Sequence, residues 1–126
     1  MLEREGLTRE RLLATVGHLQ RARAALALLG HESLDLERPA GRFSIAEQQV
    51  IEIARALLSD VKVLVFDEPT SALTQEDANR LFALVRALKA KGVTVVYISH
   101  FLEEIEAVAD RFTVMRDGRA VGTARV

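Results

Sequence analysis

The sequence predicts an α/β fold of parallel strands joined by crossover helices, and three observations carry that prediction. Val63-Leu64-Val65-Phe66 is a continuous apolar run ending in two adjacent carboxylates, Asp67 and Glu68, which is how a strand buried on both faces reads. A second run, Val93 to Ser99, is likewise rich in β-branched residues. Between them lies a helical pattern long enough to return the chain to the same end of the sheet, so the two strands should be parallel and the crossover right-handed.

The other elements follow in order. Thr8 is a candidate cap for a first helix in which Leu12, Leu13, Val16, Leu19, Ala22, Leu26 and Leu29 recur at helical spacing, with Gly30 as its stop. A looser segment through Pro39 and Gly41 leads to Ser44-Ile45-Ala46-Glu47, a capping box in which serine and glutamate satisfy each other's free amides. The helix it opens runs to about Leu58, with Ala46, Val50, Ile53, Ala54 and Leu57 on its apolar side. The first strand is Lys62 to Asp67. After a loop from Pro69 to Thr74, where Thr74 and Asp77 form a second cap-like pair, a third helix turns Ala78, Leu81, Phe82, Val85 and Leu88 inward. Gly92 suits the left-handed position that ends it. A short helix near Leu102 to Ala109 carries Glu103, Glu104 and Glu106 as a solvated face. Phe112 to Met115 and Ala120 to Thr123, joined across Asp117-Gly118, read as a hairpin.

Composition narrows the function. A chain of 126 residues, 49% hydrophobic and 28% charged, is an ordinary globular sequence of one-domain size. Its 17 basic and 18 acidic residues are interspersed to a net charge of −1, so there is no electrostatic footprint for nucleic acid or an anionic membrane. The absence of cysteine excludes disulfides, thiolate metal sites and a cysteine nucleophile. No signal-type segment or membrane-length apolar run is present; membrane work would proceed through a partner.

Ligands of open α/β sheets sit beyond the carboxyl ends of the strands, and that is where Asp67 and Glu68 fall. In phosphate chemistry one such acid can hold Mg²⁺ through oxygen while its neighbour polarises an attacking water. The plainer reading is that either acid caps a turn. His100, immediately after the second strand, reaches the same rim, although histidines in such places also serve as structural donors. Ser44 opens a helix whose free amides and positive dipole end suit a phosphate, yet Ser-x-x-Glu is also simple capping. His18 and His31 have no such placement and read as surface residues.

Together these segments resemble the later half of the ATP-binding subunit of an ABC transporter, most like the ATPases of bacterial sugar importers. The resemblance is close from about Gly41 to Gly118 and looser over the first forty residues. Val63 to Glu68 is similar to the family's Walker B strand, which implies Asp67 as Mg²⁺ ligand and Glu68 as catalytic base. Ser71, Ala72, Leu73 and Thr74 resemble the D-loop that touches the opposing subunit, and His100 the switch histidine that contacts the γ-phosphate. Phe43-Ser44-Ile45-Ala46-Glu47-Gln48-Gln49 resembles the signature segment that closes on ATP held by the opposite subunit. Here Phe43 stands for leucine, and Ile45 and Ala46 replace both glycines. That departure bears on the tightness of the phosphate contact, and Glu47 adds a negative charge beside the anion.

The resemblance implies a partial P-loop NTPase fold of the ABC type, with residues 1–58 as part of the helical subdomain and 59–126 as the Walker B to H-loop part of the core. It also implies ATP and Mg²⁺ as ligands, a second nucleotide-binding domain and transmembrane permease subunits as partners, and a cytoplasmic location at the inner face of the membrane. No G-x-x-x-x-G-K-[ST] phosphate loop occurs in the sequence. Each amide or lysine bond to phosphate is worth roughly 1.5–3 kcal/mol, so this chain alone is expected to bind ATP weakly and to turn it over negligibly until the N-terminal half of the domain is supplied. The resemblance also implies that the strand bearing that loop lies beside Val93 to Ser99, and without it an exposed apolar edge leads to the expectation of an oligomer, a partner segment or marginal stability. Two alternatives stay open: a non-catalytic module that donates its signature helix to a partner's nucleotide, and an inert truncated remnant.

Overall fold

The computed structural model describes residues 9–126. The expected cap Thr8 lies outside the described residues, as do the side chains of Leu12 and Leu13. The described residues form two compact units, divided between Ser59 and Asp60.

In the first unit, α1 (Arg9–Leu28) packs against α2 (Ile45–Leu57). Gly30 ends α1 as expected: its φ of 73° lets His31 N–H reach Leu26 O at 2.9 Å and Gly30 N–H reach Ala27 O at 3.0 Å, the paired bonds of a left-handed helix stop. Ala25, Leu26 and Leu29 are buried, but Val16 and Leu19, expected on the same inward stripe, are 49% and 44% exposed. The reason is length: α1 has 20 residues and α2 has 13, so at about 1.5 Å per residue the longer helix outruns its partner. A 3₁₀ turn at Ala40–Arg42 delivers Phe43 into the core, 8% exposed, with the Arg38 guanidinium 4.6 Å from its ring centroid. Val50, Ile53 and Ala54 form the buried side of α2.

In the second unit, β1 (Val63–Asp67) and β2 (Thr94–Ile98) are parallel and in register from Val63 opposite Thr94 to Asp67 opposite Ile98. They are connected by α3 (Gln75–Ala90), as the patterns predicted. Leu81 and Val85 are the most deeply buried residues of α3, flanked by Ala78 and Leu84. Phe82 is half-buried against Tyr97, with ring centroids 6.5 Å apart. Gly92, at φ 86°, repeats the device of Gly30: Val93 N–H bonds Leu88 O at 3.1 Å and Gly92 N–H bonds Lys89 O at 2.9 Å.

One expectation about the strands is corrected. β1 is covered on one face only: Leu64 and Phe66 are buried, whereas Val63 and Val65 are 55% and 58% exposed, and Val96 and Ile98 of β2 are exposed beside them. A run of apolar residues encodes two buried faces, but the described residues supply a cover for only one. β2 also pairs only with β1 among the described residues.

Beyond β2, α4 (Leu102–Val108) inserts Val108 into the core. β3 (Arg111–Arg116) and β4 (Arg119–Arg125) then form a separate antiparallel hairpin. Its turn is Asp117-Gly118 with φ values of 51° and 74°, the paired positive angles that match the right-handed twist of the strands. A register shift between Val114 and Met115 marks a bulge.

Candidate functional site

The rim of the parallel sheet brings together the three residues expected there. Asp67 ends β1 opposite Ile98, so the two strands finish level and the next residues leave from one edge. The Asp67 side chain is exposed. Glu68 takes a φ of 47°, a left-handed conformation that costs a residue with a Cβ about 1–2 kcal/mol. Backbone bonds on both sides hold it there: Glu68 N–H donates to Ile98 O at 2.9 Å, and Ser71 N–H donates to Glu68 O at 3.3 Å. Non-glycine residues kept in such conformations cluster at functional sites.

This turn carries the Glu68 carboxylate to His100. Nδ1 lies 2.9 Å from Oε1 and 3.1 Å from Oε2. Because an ionised carboxylate only accepts, Nδ1–H is the donor, and Nε2 is not used in this contact. The imidazole is also packed against Phe101, with centroids 4.0 Å apart, and Phe101 N–H is held by Ser99 Oγ at 3.1 Å. Glu68 therefore turns its side chain to the histidine of the next strand.

No group of three histidine, aspartate or glutamate side chains able to hold a metal occurs among the described residues. An exposed lone carboxylate such as Asp67 fits Mg²⁺ rather than zinc, since Mg²⁺ takes one or two carboxylates and completes its shell with water and substrate phosphates.

The loop after Glu68 includes Ser71, exposed, and Ala72 and Leu73, half-buried. Thr74 serves the local fold, because its Oγ1 accepts Asp77 N–H at 3.2 Å and caps α3. One side chain was missed by the sequence reading. Glu104 does not share the solvated face of Glu103 and Glu106; it is half-buried and accepts hydroxyl bonds from Thr70 and, at 3.2 Å, from Tyr97. Its position one helical turn before the buried Val108, on the same stripe, was the available signal.

In the first unit, Ser44, Ile45, Ala46 and Glu47 form the start of α2. The capping box is complete: Glu47 N–H donates to Ser44 Oγ at 3.2 Å, and Glu47 Oε2 accepts Ser44 N–H at 2.8 Å. Oε2 also accepts the Ser44 hydroxyl at 2.8 Å. These bonds, the backbone one foremost, hold the Glu47 carboxyl below its usual pKa. Ser44 and Ile45 are exposed, Ile45 at 76%. An apolar side chain so placed at a helix start is not explained by packing among the described residues.

A parallel β-α-β unit with an acid pair and a histidine at its strand ends is compatible with many α/β folds; the solved structures it resembles place it in the P-loop NTPase fold of the ATP-binding-cassette class. Among solved structures it superposes on an ATP-binding cassette of an ABC transporter with a TM-score of 0.71 at 32% identity, covering 86% of this chain and 43% of that one. Another match, a cassette in a post-hydrolysis dimer bound to ADP and phosphate, has a TM-score of 0.77 over 97% of this chain and 50% of that one, and at 23% identity supports the fold alone. Residues 3–71 match the ABC transporter family, and the chain belongs to that family. Curated relatives include the ribose import ATP-binding protein RbsA of Bacillus licheniformis, 54% identical over 75% of this chain. The protein of that name from Lacticaseibacillus paracasei is 45% identical over 95% of this chain. The chain spans only 19% and 24% of the length of these two relatives.

Proposed function

We propose that this chain is the later part of an ATP-hydrolysing domain that energises import of a sugar, ribose being the solute in the names of the relatives above. The contact that carries the reading is Glu68 to His100 at 2.9 Å across the ends of adjacent parallel strands, with Asp67 as the last residue of the first strand. In this reading residues 1–58 belong to the helical subdomain and 59–126 to the catalytic core. Asp67 would hold Mg²⁺, which when bound would supply neutralisation of phosphate charge. Glu68 orients and polarises the attacking water, and His100, held at Nδ1 by Glu68, presents its other nitrogen toward the γ-phosphate. Ser44, Ile45, Ala46 and Glu47 face ATP held by a second nucleotide-binding domain, Ser71 to Thr74 contact that domain, and transmembrane permease subunits complete the transporter at the inner face of the membrane.

A glycine-rich phosphate loop must come from another segment for ATP to be bound well. The purified chain and a Glu68→Gln version are therefore both expected at background ATPase activity. Mixing the chain with a complementary fragment carrying a phosphate loop should give turnover, abolished by Glu68→Gln. Turnover by the chain alone, lost in that variant, would overturn the incomplete-site argument. The exposed start of α2 also supports a second reading in which the chain lends only this helix to a partner's nucleotide. Under it, stimulation of the complementary fragment survives Glu68→Gln but is lost with Ser44→Arg.

A further inference from the structure

Two hydroxyls from different elements converge on one carboxylate of α4. Thr70, two residues beyond Glu68, donates to Glu104 Oε1, and Tyr97 of β2 donates to Oε2 at 3.2 Å. Tyr97 is itself fixed between the rings of Phe66 and Phe82, at centroid distances of 6.2 and 6.5 Å. Burial, reinforced by the charge of Glu104, raises the pKa of the Tyr97 hydroxyl, so it stays a donor. Hydrogen bonds to an ionised acceptor are roughly twice as strong as neutral ones.

The remaining bonds of the loop explain why this one matters. Leu73 N–H to Thr70 O at 3.0 Å and Ser71 N–H to Glu68 O at 3.3 Å stay within the loop, and Glu68 N–H to Ile98 O ties only its first residue to β2. The Thr70 hydroxyl joins the loop to α4, the helix that begins two residues after His100. Glu68 and His100 thus stand on two segments that a single carboxylate fastens together.

We propose that Glu104 is a positioning residue: by accepting Thr70 and Tyr97 it locks the loop after β1 to α4 and so fixes Glu68, in its left-handed conformation, against His100. The catalytic meaning of the pair rests on the function proposed above, but the lock itself requires no nucleotide, so the two can fail separately.

The test is made on the isotopically labelled 126-residue chain without nucleotide. In the wild-type protein the ¹⁵N signals of His100 should show a protonated, hydrogen-bonded Nδ1, unlike those of the exposed His18. Thr70→Val and Glu104→Ala should move the His100 signals toward those of His18 while strand amides of β1 and β2 keep their shifts. The same variants should speed amide exchange at Ser71 and Leu73 by about tenfold, the weight of one hydrogen bond to a charged acceptor. Glu104→Gln keeps an acceptor oxygen and should restore part of the wild-type signature, which a purely structural loss of stability would not do. Unchanged His100 signals and unchanged loop exchange in Thr70→Val, the variant that removes a single hydroxyl and leaves its size intact, would overturn the proposal. Absence of turnover in the complemented ATPase assay, with the signature still dependent on Glu104, would sink the catalytic reading and leave the lock standing.

Discussion

Replacing Val85 and Val65 separately by threonine measures how the sheet is covered. The two substitutions are the same in volume and chemistry, yet Val85 is 1% exposed and Val65 is 58% exposed. In Val85→Thr a hydroxyl enters the core between α3 and the sheet; the cost from protein data is about 1–3 kcal/mol, toward the low end if the hydroxyl bonds the carbonyl one turn back. Valine and threonine have similar helix and strand preferences, so little backbone contribution confuses the comparison. In Val65→Thr the hydroxyl meets water, and the change should stay within about 0.5 kcal/mol. A folded unit of this size has only about 0.05–0.15 kcal/mol per residue to lose. With a urea dependence near 1 kcal/mol per molar, Val85→Thr should lower the unfolding midpoint by about 1–3 M while Val65→Thr leaves it nearly unmoved. The assay is urea unfolding followed by far-ultraviolet circular dichroism at several protein concentrations. Equal losses in the two variants at the lowest concentration would refute the one-sided sheet. A Val65→Thr loss that grows with concentration would show the open face closing on a second molecule.

Ser44→Ala should cost about 1 kcal/mol by removing a helix cap, seen as a lower midpoint for the first unit. Its pH dependence has a definite sign. The Glu47 carboxyl is lowered in the folded chain, so its contribution is present above the unfolded value of 4.5 and is lost as pH falls through the folded value; Ser44→Ala keeps the backbone N–H bond that contributes most and should flatten that acid limb only in part, whereas Glu47→Gln should remove it. Glu68→Gly should raise thermal stability by about 1 kcal/mol through relief of the left-handed backbone, while removing the His100 contact; a fall in stability would show that the contact outweighs the strain. Gly118→Ala places a Cβ at φ 74° and should destabilise the hairpin by about 1 kcal/mol, read as loss of cross-strand NMR contacts between Thr113 and Thr123, whose hydroxyls lie 2.8 Å apart.

Much of the local structure was legible because short-range chemistry enforces it. Ser44 and Glu47 had to find each other within one turn, Thr74 had a free amide three residues ahead, and Gly30, Gly92 and the Asp117-Gly118 pair sit where only a left-handed residue ends a helix or closes a hairpin. Asp67 and Glu68 were legible as a strand end, and His100 as the residue after the neighbouring strand. Glu104 was misread because the glutamates of α4 look alike in sequence. What separates it from Glu103 and Glu106 is the direction of the helix relative to Tyr97 and Thr70, which come from other elements.

By itself, then, the sequence determined the elements, their stops and the order in which acid pair and histidine would follow their strands, since these depend on backbone preferences and spacings of a few residues. The tertiary structure alone decided that β1 and β2 end level, that Glu68 leaves in a left-handed turn and meets Nδ1 of His100, and that one face of the sheet is open. Those outcomes depend on which surfaces of distant segments meet. An apolar run states that burial is favourable, and packing decides whether anything is there to provide it.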